Sequence, residues 1–273
     1  MKYSLVIKKL ETTNKAILDT SISFKPYTIN ILLNDEYKSH IFFKSILNLC
    51  DSKKKCLFYD RDINLNFQYI GYYSKNFDIY KDLKVKQFFK YSNSFYKNNY
   101  KDNIKRLLNI FSIDSETLIK DLDTSKYELV KIIDSIYHKP ELLLLDNPYN
   151  CLDNDSINIL NEEILNLKND GSTIIISNNS LEYLYYNDTH YYIFSDNKLI
   201  DLQTLKNKRF EVEIEKDIEI NFKLKLLSFN KKKNSNIIEY IGPSKLLLDE
   251  LKKNNIKILS IRVGDKLWYW NLN

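Results

Sequence analysis

The residue that is best suited by type and position to do chemistry lies in residues 139–153, KPELLLLDNPYNCLD. A continuous apolar run bounded by prolines, Leu142 to Leu145, predicts a strand buried on both faces at the centre of a parallel sheet. The carboxyl ends of such strands form ligand crevices, so Asp146 is well placed to hold a magnesium ion bound to phosphates. The alternative is that Asp146 only caps the turn that follows it.

The elements around this strand alternate between strands and helices. An edge strand is predicted at Lys2 to Lys8 and a strand at Tyr27 to Leu33, followed by a helix from Lys38 to Leu49. From Asp82 to His138 the apolar spacing is helical throughout, which predicts an inserted helical subdomain of about residues 78–138. The alternating pattern resumes after it, so the sequence favours an α/β fold with a mainly parallel sheet.

The pattern changes after about Leu205. The predicted elements are then strands and one helix separated by polar turns: Phe210 to Glu215, Asn221 to Leu227, Ile237 to Ile241, the helix Ser244 to Asn254, and Ile256 to Val263. We therefore predict two domains, a large one over 1–205 and a small α+β domain over 206–273.

Composition excludes several classes of function. The 273 residues carry a net charge of +5, with 41 Lys and Arg against 36 Asp and Glu spread along the chain, which does not indicate nucleic-acid binding. The sequence shows neither a secretory signal nor an apolar stretch of membrane-spanning length, so we expect a cytoplasmic protein. Three cysteines and three scattered histidines predict no metal cluster.

Taken together, the elements of Met1 to Leu205 resemble the nucleotide-binding subunit of an ABC transporter, a P-loop NTPase-like fold with an antiparallel β subdomain. Ile70 to Tyr72 and Asp78 to Leu83 are similar to the segment around the family's Q-loop. Asn150 to Asp153 is similar to its D-loop, and Thr173 to Glu182 to its switch strand. The part after Leu205 is similar to the C-terminal extension of subunits for bacteriocin or peptide export and immunity.

The resemblance implies ATP and Mg²⁺ as ligands, with Lys38, Ser39 and Asp146 contacting nucleotide and with Ser39 and Asp146 as magnesium ligands. A phosphate loop also needs glycines that let backbone amides converge on phosphate oxygens. The residues between Leu33 and Lys38 include no glycine and are two too few, and Asp35 and Glu36 add negative charge where a triphosphate should lie. The alternative for Lys38 is an ordinary surface lysine.

The family's hydrolytic residues are also altered. Asn147 stands where a glutamate polarises water, and its amide cannot accept a proton at neutral pH. Asn179 replaces the switch histidine, Lys75 the Q-loop glutamine, and Leu122 to Lys126 the glycine-containing signature. Within this last segment Asp123, Thr124 and Ser125 are favourable N-cap residues for a helix that is predicted from Lys126 to Tyr137.

These departures predict a degenerate subunit, a pseudo-ATPase that docks through aromatic side chains of the helical insert on a membrane permease at the inner face of the cell membrane. The resemblance implies a homodimer or a heterodimer with another ABC subunit, with peptide or lipid-like cargo. One alternative is a scaffold or regulator that binds no nucleotide. Another is a working ATPase with unusual motifs, for which Asp153 and Glu182 are the nearest carboxylates that could replace the base.

Overall fold

A computed structural model describes residues 3–33, 35–178, 186, 189–195, 197–202, 208–215, 223–224, 226–254 and 256–264. The chain divides into two compact units, which are described separately. Unit 1 contains Met1–Val6, Ser23–Ile29 and Cys56–Ile176. Unit 2 contains Ile7–Ile22, Asn30–Lys55 and Ser177–Asn273.

The described residues form strands of two to eight residues and α-helices of nine to sixteen. The strands are β1 Leu5–Thr12, β2 Thr20–Phe24, β3 Ile29–Leu33, β4 Ser52–Phe58, β5 Arg61–Asp62, β6 Ile70–Ser74, β7 Leu142–Asp146, β8 Thr173–Ser177, β9 Thr189–Ser195, β10 Lys198–Asp201, β11 Lys208–Glu215, β12 Ser228–Lys231, β13 Ser235–Gly242 and β14 Ile258–Gly264. The helices are α1 Glu36–Ile46, α2 Val85–Asn93, α3 Lys101–Ile110, α4 Thr124–Ile136, α5 Asn154–Asn169 and α6 Ser244–Lys253. None of these described helices is long and apolar enough to cross a membrane.

The centre of unit 1 is a sheet in which β7 lies between β6 and β8. Every residue of β7 is buried, as is every residue of β8. Strand β7 runs parallel to β6, in a register that pairs Ile70 with Leu142 and Ser74 with Asp146. The four-leucine run is therefore a buried parallel strand, as its sequence predicts.

Three helices, α2, α3 and α4, lie between β6 and β7 in the chain of unit 1, so the predicted helical insert is confirmed. Helix α4 packs closely on β6 at Gly71. A Cβ atom on this glycine would lie 2.0 Å from the Ser135 main-chain oxygen, so only glycine allows this approach. Tyr137, just after α4, is fully buried and forms an edge contact with Phe89 of α2 at a centroid distance of 5.9 Å.

In unit 2, β9 lies between β3 and β10, and α1 follows β3 in the chain. A second sheet of this unit has the order β12-β13-β11-β14, and its buried side chains include Val212 and Ile238. Leu251 of helix α6 is also fully buried.

The predicted strand Asn221 to Leu227 is wrong for its described residues. The strand in this region is β12, which starts at Ser228 and pairs antiparallel with β13, opposing Lys231 to Asn236. The polar turn after Lys231 sets this register, because pairing in a hairpin begins directly at the turn.

Candidate functional site

Asp146 closes β7 and is held by two neighbouring side chains. Ser74 lies at the end of the adjacent strand and donates a hydrogen bond from Oγ to Asp146 Oδ2 at 3.1 Å. Asn147 donates from Nδ2 to Asp146 Oδ1 at 3.4 Å. Asp146 is only 4% exposed. Both carboxylate oxygens thus have a protein donor, and Ser74 is a contact that the sequence analysis did not identify.

Asn147 has a left-handed backbone conformation, with φ of 51°. Asparagine adopts this region more readily than most residues other than glycine, because its short side chain can bond locally. The Asn147 amide is buried and points its nitrogen at Asp146. A neutral amide in this position can orient a neighbour, but it cannot remove a proton from water.

The first turn of α1 in unit 2 carries the second part of the predicted site. Asp35 is the N-cap residue, and its Oδ1 accepts a hydrogen bond from the Lys38 main-chain nitrogen at 2.8 Å. The other carboxylate oxygen, Oδ2, lies 3.2 Å from Lys38 Nζ. One carboxylate therefore contacts both a backbone N–H of the helix and the ammonium group that the resemblance assigns to phosphate.

This arrangement does not suit a triphosphate. A helix N-terminus binds anions through its free N–H groups and its dipole, and here the chain's own carboxylate takes that place. Glu36 adds a second acidic side chain to the first turn. Ser39 is 1% exposed, and its main-chain nitrogen donates to the Asp35 carbonyl at 2.9 Å. Asn34 lies outside the described residues. The described residues at the first turn of α1 therefore do not fit ATP and Mg²⁺ in the way that a phosphate loop does.

The segment that resembles the signature motif is also explained by helix capping. Asp123 is the N-cap of α4 and accepts from the Lys126 main-chain nitrogen at 2.8 Å. This confirms the predicted cap, although the helix begins at Thr124, two residues earlier than its predicted start. The N-terminus of α4 thus uses a protein carboxylate in the same way as α1 does.

A buried ion pair connects α4 with the end of β6. Glu128 Oε2 accepts from Lys131 Nζ at 2.9 Å and from the Tyr73 hydroxyl at 2.7 Å. Lys131 Nζ also donates to the main-chain carbonyl of Lys75 at 3.2 Å. Burial and the Glu128 hydrogen bond raise the pKa of Tyr73, so its hydroxyl stays protonated and donates. In the sequence, Glu128 and Lys131 are two of the four charged residues of α4, and the signal that could have paired them is their spacing of three residues.

Among the remaining predicted residues, Asp153 has a structural role. Asp153 is the N-cap of α5 and accepts from the Ser156 main-chain nitrogen at 2.8 Å, which lowers the pKa of its carboxyl group. Asp146 and Asn147 are neighbours in unit 1, whereas Lys38 and Ser39 belong to unit 2. Asn179 and Glu182 lie outside the described residues. Among the described histidines, cysteines and acidic residues there is no group of three that could hold a metal ion.

Comparison with solved structures identifies the fold. An ATP-binding subunit of an ABC transporter superposes with a TM-score of 0.67 over 73% of this chain and 90% of that chain, at 16% identity. A nucleotide-free ATP-binding cassette of an ABC transporter gives a TM-score of 0.59 over 72% of this chain and 90% of its own, at 17% identity. The chain has the fold of an ABC ATPase domain.

Sequence relatives agree with this ABC ATPase fold. The ABC transporter ATP-binding protein YhaQ of Bacillus subtilis is 27% identical over 121 residues, which are 42% of this chain and 40% of that protein. An ABC transporter ATP-binding protein of Alkalihalophilus pseudofirmus is 32% identical over 120 residues, 42% of this chain and 45% of its own. The chain thus spans less than half the length of these relatives. No family model matches the sequence. The predicted resemblance to ABC transporter ATP-binding subunits and the predicted fold class are confirmed. The degenerate character and the resemblance of the C-terminal part stay predictions.

Proposed function

We propose that this chain is an ABC transporter ATP-binding-type subunit that has lost efficient ATP hydrolysis and acts as a pseudo-ATPase on a membrane permease. The observation that carries the proposal is the Asp35 carboxylate, which binds the first turn of α1 and the Lys38 ammonium. A phosphate group at this place would have to displace the carboxylate or lie against its negative charge. Asn147, in the place of a general base, supports the same conclusion.

The proposed domain division is 1–205 for the ABC-type domain and 206–273 for a small α+β domain. We further propose cytoplasmic placement at the inner face of the membrane, and a homodimer or a heterodimer with another ABC subunit. Peptide, bacteriocin or lipid-like export or immunity is the proposed transport class. This assignment rests on the resemblance of the C-terminal part alone.

Exposed aromatic side chains of unit 1 support docking on a permease. Tyr80, Tyr91 and Phe95 are 69%, 52% and 68% exposed. The ring centroids of Tyr80 and Tyr91 are 6.5 Å apart, and those of Tyr91 and Phe95 are 5.0 Å apart, each pair nearly perpendicular. Aromatic residues are enriched in protein interfaces, and exposed apolar patches often mark such interfaces. Other large aromatic residues of the insert, such as Phe88 and Phe89, belong to the core.

Nucleotide affinity tests the proposal. Asp35→Asn removes the negative charge while retaining an N-cap side chain of the same shape. We expect the unaltered protein to show no saturable Mg²⁺-dependent binding of ATP in calorimetry. Asp35→Asn should gain measurable affinity for ATP. The double variant Asp35→Asn/Lys38→Ala should lose this affinity again. Tight ATP binding by the unaltered protein would contradict the proposal.

The second candidate is a scaffold or regulator that has retained the fold without using nucleotide. The same Asp35 contacts favour it, because they complete the first turn of α1 without a ligand. The two candidates differ in the Asp35→Asn variant. A nucleotide site that is blocked by the Asp35 carboxylate gains affinity for ATP in this variant, whereas a pure scaffold binds no ATP in either form.

A further inference from the structure

A groove lies between α2 and α3, in the helical part of unit 1. Its volume is about 680 Å³, within the range of roughly 300–1,000 Å³ that is usual for small-molecule sites. Phe89 of α2 and Ile104 and Leu108 of α3 line its apolar floor, together with Ile113 from the segment after α3. These four side chains are nearly buried, so the floor belongs to the packed core of this subdomain and is rigid.

Two rows of lysines border this floor. Lys86 and Lys90 lie one helical turn apart on α2, and Lys101 and Lys105 lie one turn apart on α3. Positive charges four residues apart on a helix repel each other and destabilise the helix slightly. Four lysines around one groove therefore carry an electrostatic cost that a bound anion would relieve.

The acidic residues nearby leave most of this charge uncompensated. Glu116 pairs with Lys86 at 2.6 Å. Asp114, also in the lining, accepts hydrogen bonds within its own turn, including one from the Glu116 main-chain nitrogen at 3.0 Å.

The other three lysines of the groove are exposed. Within the part of the chain that the structure describes, Lys90, Lys101 and Lys105 form no ion pair. Lysine stems generally lie along apolar surface while the ammonium group stays in water, so these ammonium groups can turn toward a ligand in the groove.

We propose that this groove binds a free anionic amphiphile with one long alkyl chain, such as a fatty-acid carboxylate. The alkyl chain lies on the floor formed by Phe89, Ile104 and Leu108, and the carboxylate lies between Lys90 and the lysines of α3. The volume fits a small molecule better than an additional protein helix. This site is independent of the nucleotide-binding function proposed above.

Binding of cis-parinaric acid, a fluorescent fatty acid, to the full chain tests this site at concentrations below micelle formation. We expect saturable one-to-one binding that weakens as salt is added. The double variant Lys101→Gln/Lys105→Gln should bind about tenfold more weakly, because it loses two charge-assisted contacts. The control Lys53→Gln/Lys55→Gln removes the same charge from exposed positions on β4 and should retain affinity to within about twofold.

A second variant tests the floor without removing a core side chain. Asn109→Trp places a large ring at the groove from an exposed position and should abolish binding. The methyl ester of the same fatty acid has no charge. Its affinity for the unaltered protein should be no higher than the affinity of the free acid for the lysine double variant. Equal binding of acid and ester, equal loss in the two lysine double variants, or no saturable binding would overturn the proposal. Binding of the protein to anionic vesicles or to polyglutamate without binding of free parinaric acid would also overturn it.

Discussion

Replacement of Asp35 by alanine separates the two contacts that this carboxylate makes. Asp35→Ala removes the hydrogen bond to the Lys38 main-chain nitrogen and the ion pair with Lys38 Nζ. Lys38→Ala removes only the ion pair, because the main-chain nitrogen remains. The two variants, with the double variant, therefore measure the cap and the ion pair independently.

The structure sets the expected magnitudes. Loss of an aspartate N-cap costs about 1 kcal/mol of unfolding free energy. The side chains of Lys38 and Asp35 are 23% and 27% exposed, so we expect about 0.2–1 kcal/mol from their ion pair. Asp35→Ala should thus cost about 1–2 kcal/mol, Lys38→Ala at most about 1 kcal/mol, and the double variant no more than Asp35→Ala.

Equilibrium urea unfolding, followed by circular dichroism, measures these differences. Asp123→Ala is a matched control, because Asp123 caps α4 with the same 2.8 Å bond to the main-chain nitrogen of its N3 residue. Asp123→Ala should lower the free energy of unfolding by about 1 kcal/mol, which is slightly less than the effect of Asp35→Ala. If Asp35→Ala is neutral or stabilising while Asp123→Ala is destabilising, the Asp35 carboxylate does not hold the first turn of α1 and the reasoning is refuted.

Three further predictions concern buried groups of unit 1. Lys131→Met should cost about 3–5 kcal/mol, because it leaves Glu128 buried without its cation, and adding Glu128→Gln should recover part of this loss in urea unfolding. Gly71→Ala should cost about 3 kcal/mol, since its Cβ would lie 2.0 Å from the Ser135 main-chain oxygen. Burial lowers the pKa of His138 to about 4. In the unfolded chain His138 therefore takes up a proton near pH 6.5, whereas in the folded protein it stays neutral until about pH 4. The free energy of unfolding should thus fall by about 2–3 kcal/mol as the pH is lowered from 6.5 to 4. His138→Phe should remove this part of the pH dependence of thermal unfolding.

Controls distinguish these effects from general damage. The side chains of Lys139 and Asp170 form an exposed ion pair and are 59% and 54% exposed. Lys139→Met breaks this pair and should lower the free energy of unfolding by less than about 1 kcal/mol. An equal cost for Lys131→Met would contradict the assigned burial of its ion pair. Normal stability of Gly71→Ala would contradict the close packing of α4 on β6. An unchanged pH profile in His138→Phe would show that another group titrates.

The sequence alone predicted the main elements that position the site. The leucine run before Asp146 identified β7, because an uninterrupted apolar stretch of this length suits a strand covered on both faces. Polar residues ahead of an apolar-periodic segment identified the cap of α4 at Asp123. In the C-terminal part the strand near residue 221 was misplaced, because local propensity does not fix hairpin register.

The contacts of the candidate site required the structure. Ser74 meets Asp146 only through the parallel register of β6 and β7, strands that are separated by the whole helical insert. The Glu128 to Lys131 pair lies in a helix whose pattern alone does not show which charged residues face inward. The aspartate before Lys38 was recognised as unfavourable for phosphate, but its dual contact with that lysine depends on side-chain geometry.

The central claim is that the Asp35 carboxylate and Asn147 have replaced the groups required for ATP turnover. Phosphate release by the purified full chain with saturating Mg²⁺ and ATP, compared with the Asp146→Ala variant, tests it most directly. We expect the two proteins to release phosphate at the same background rate. Turnover by the unaltered protein that disappears in Asp146→Ala would contradict the claim.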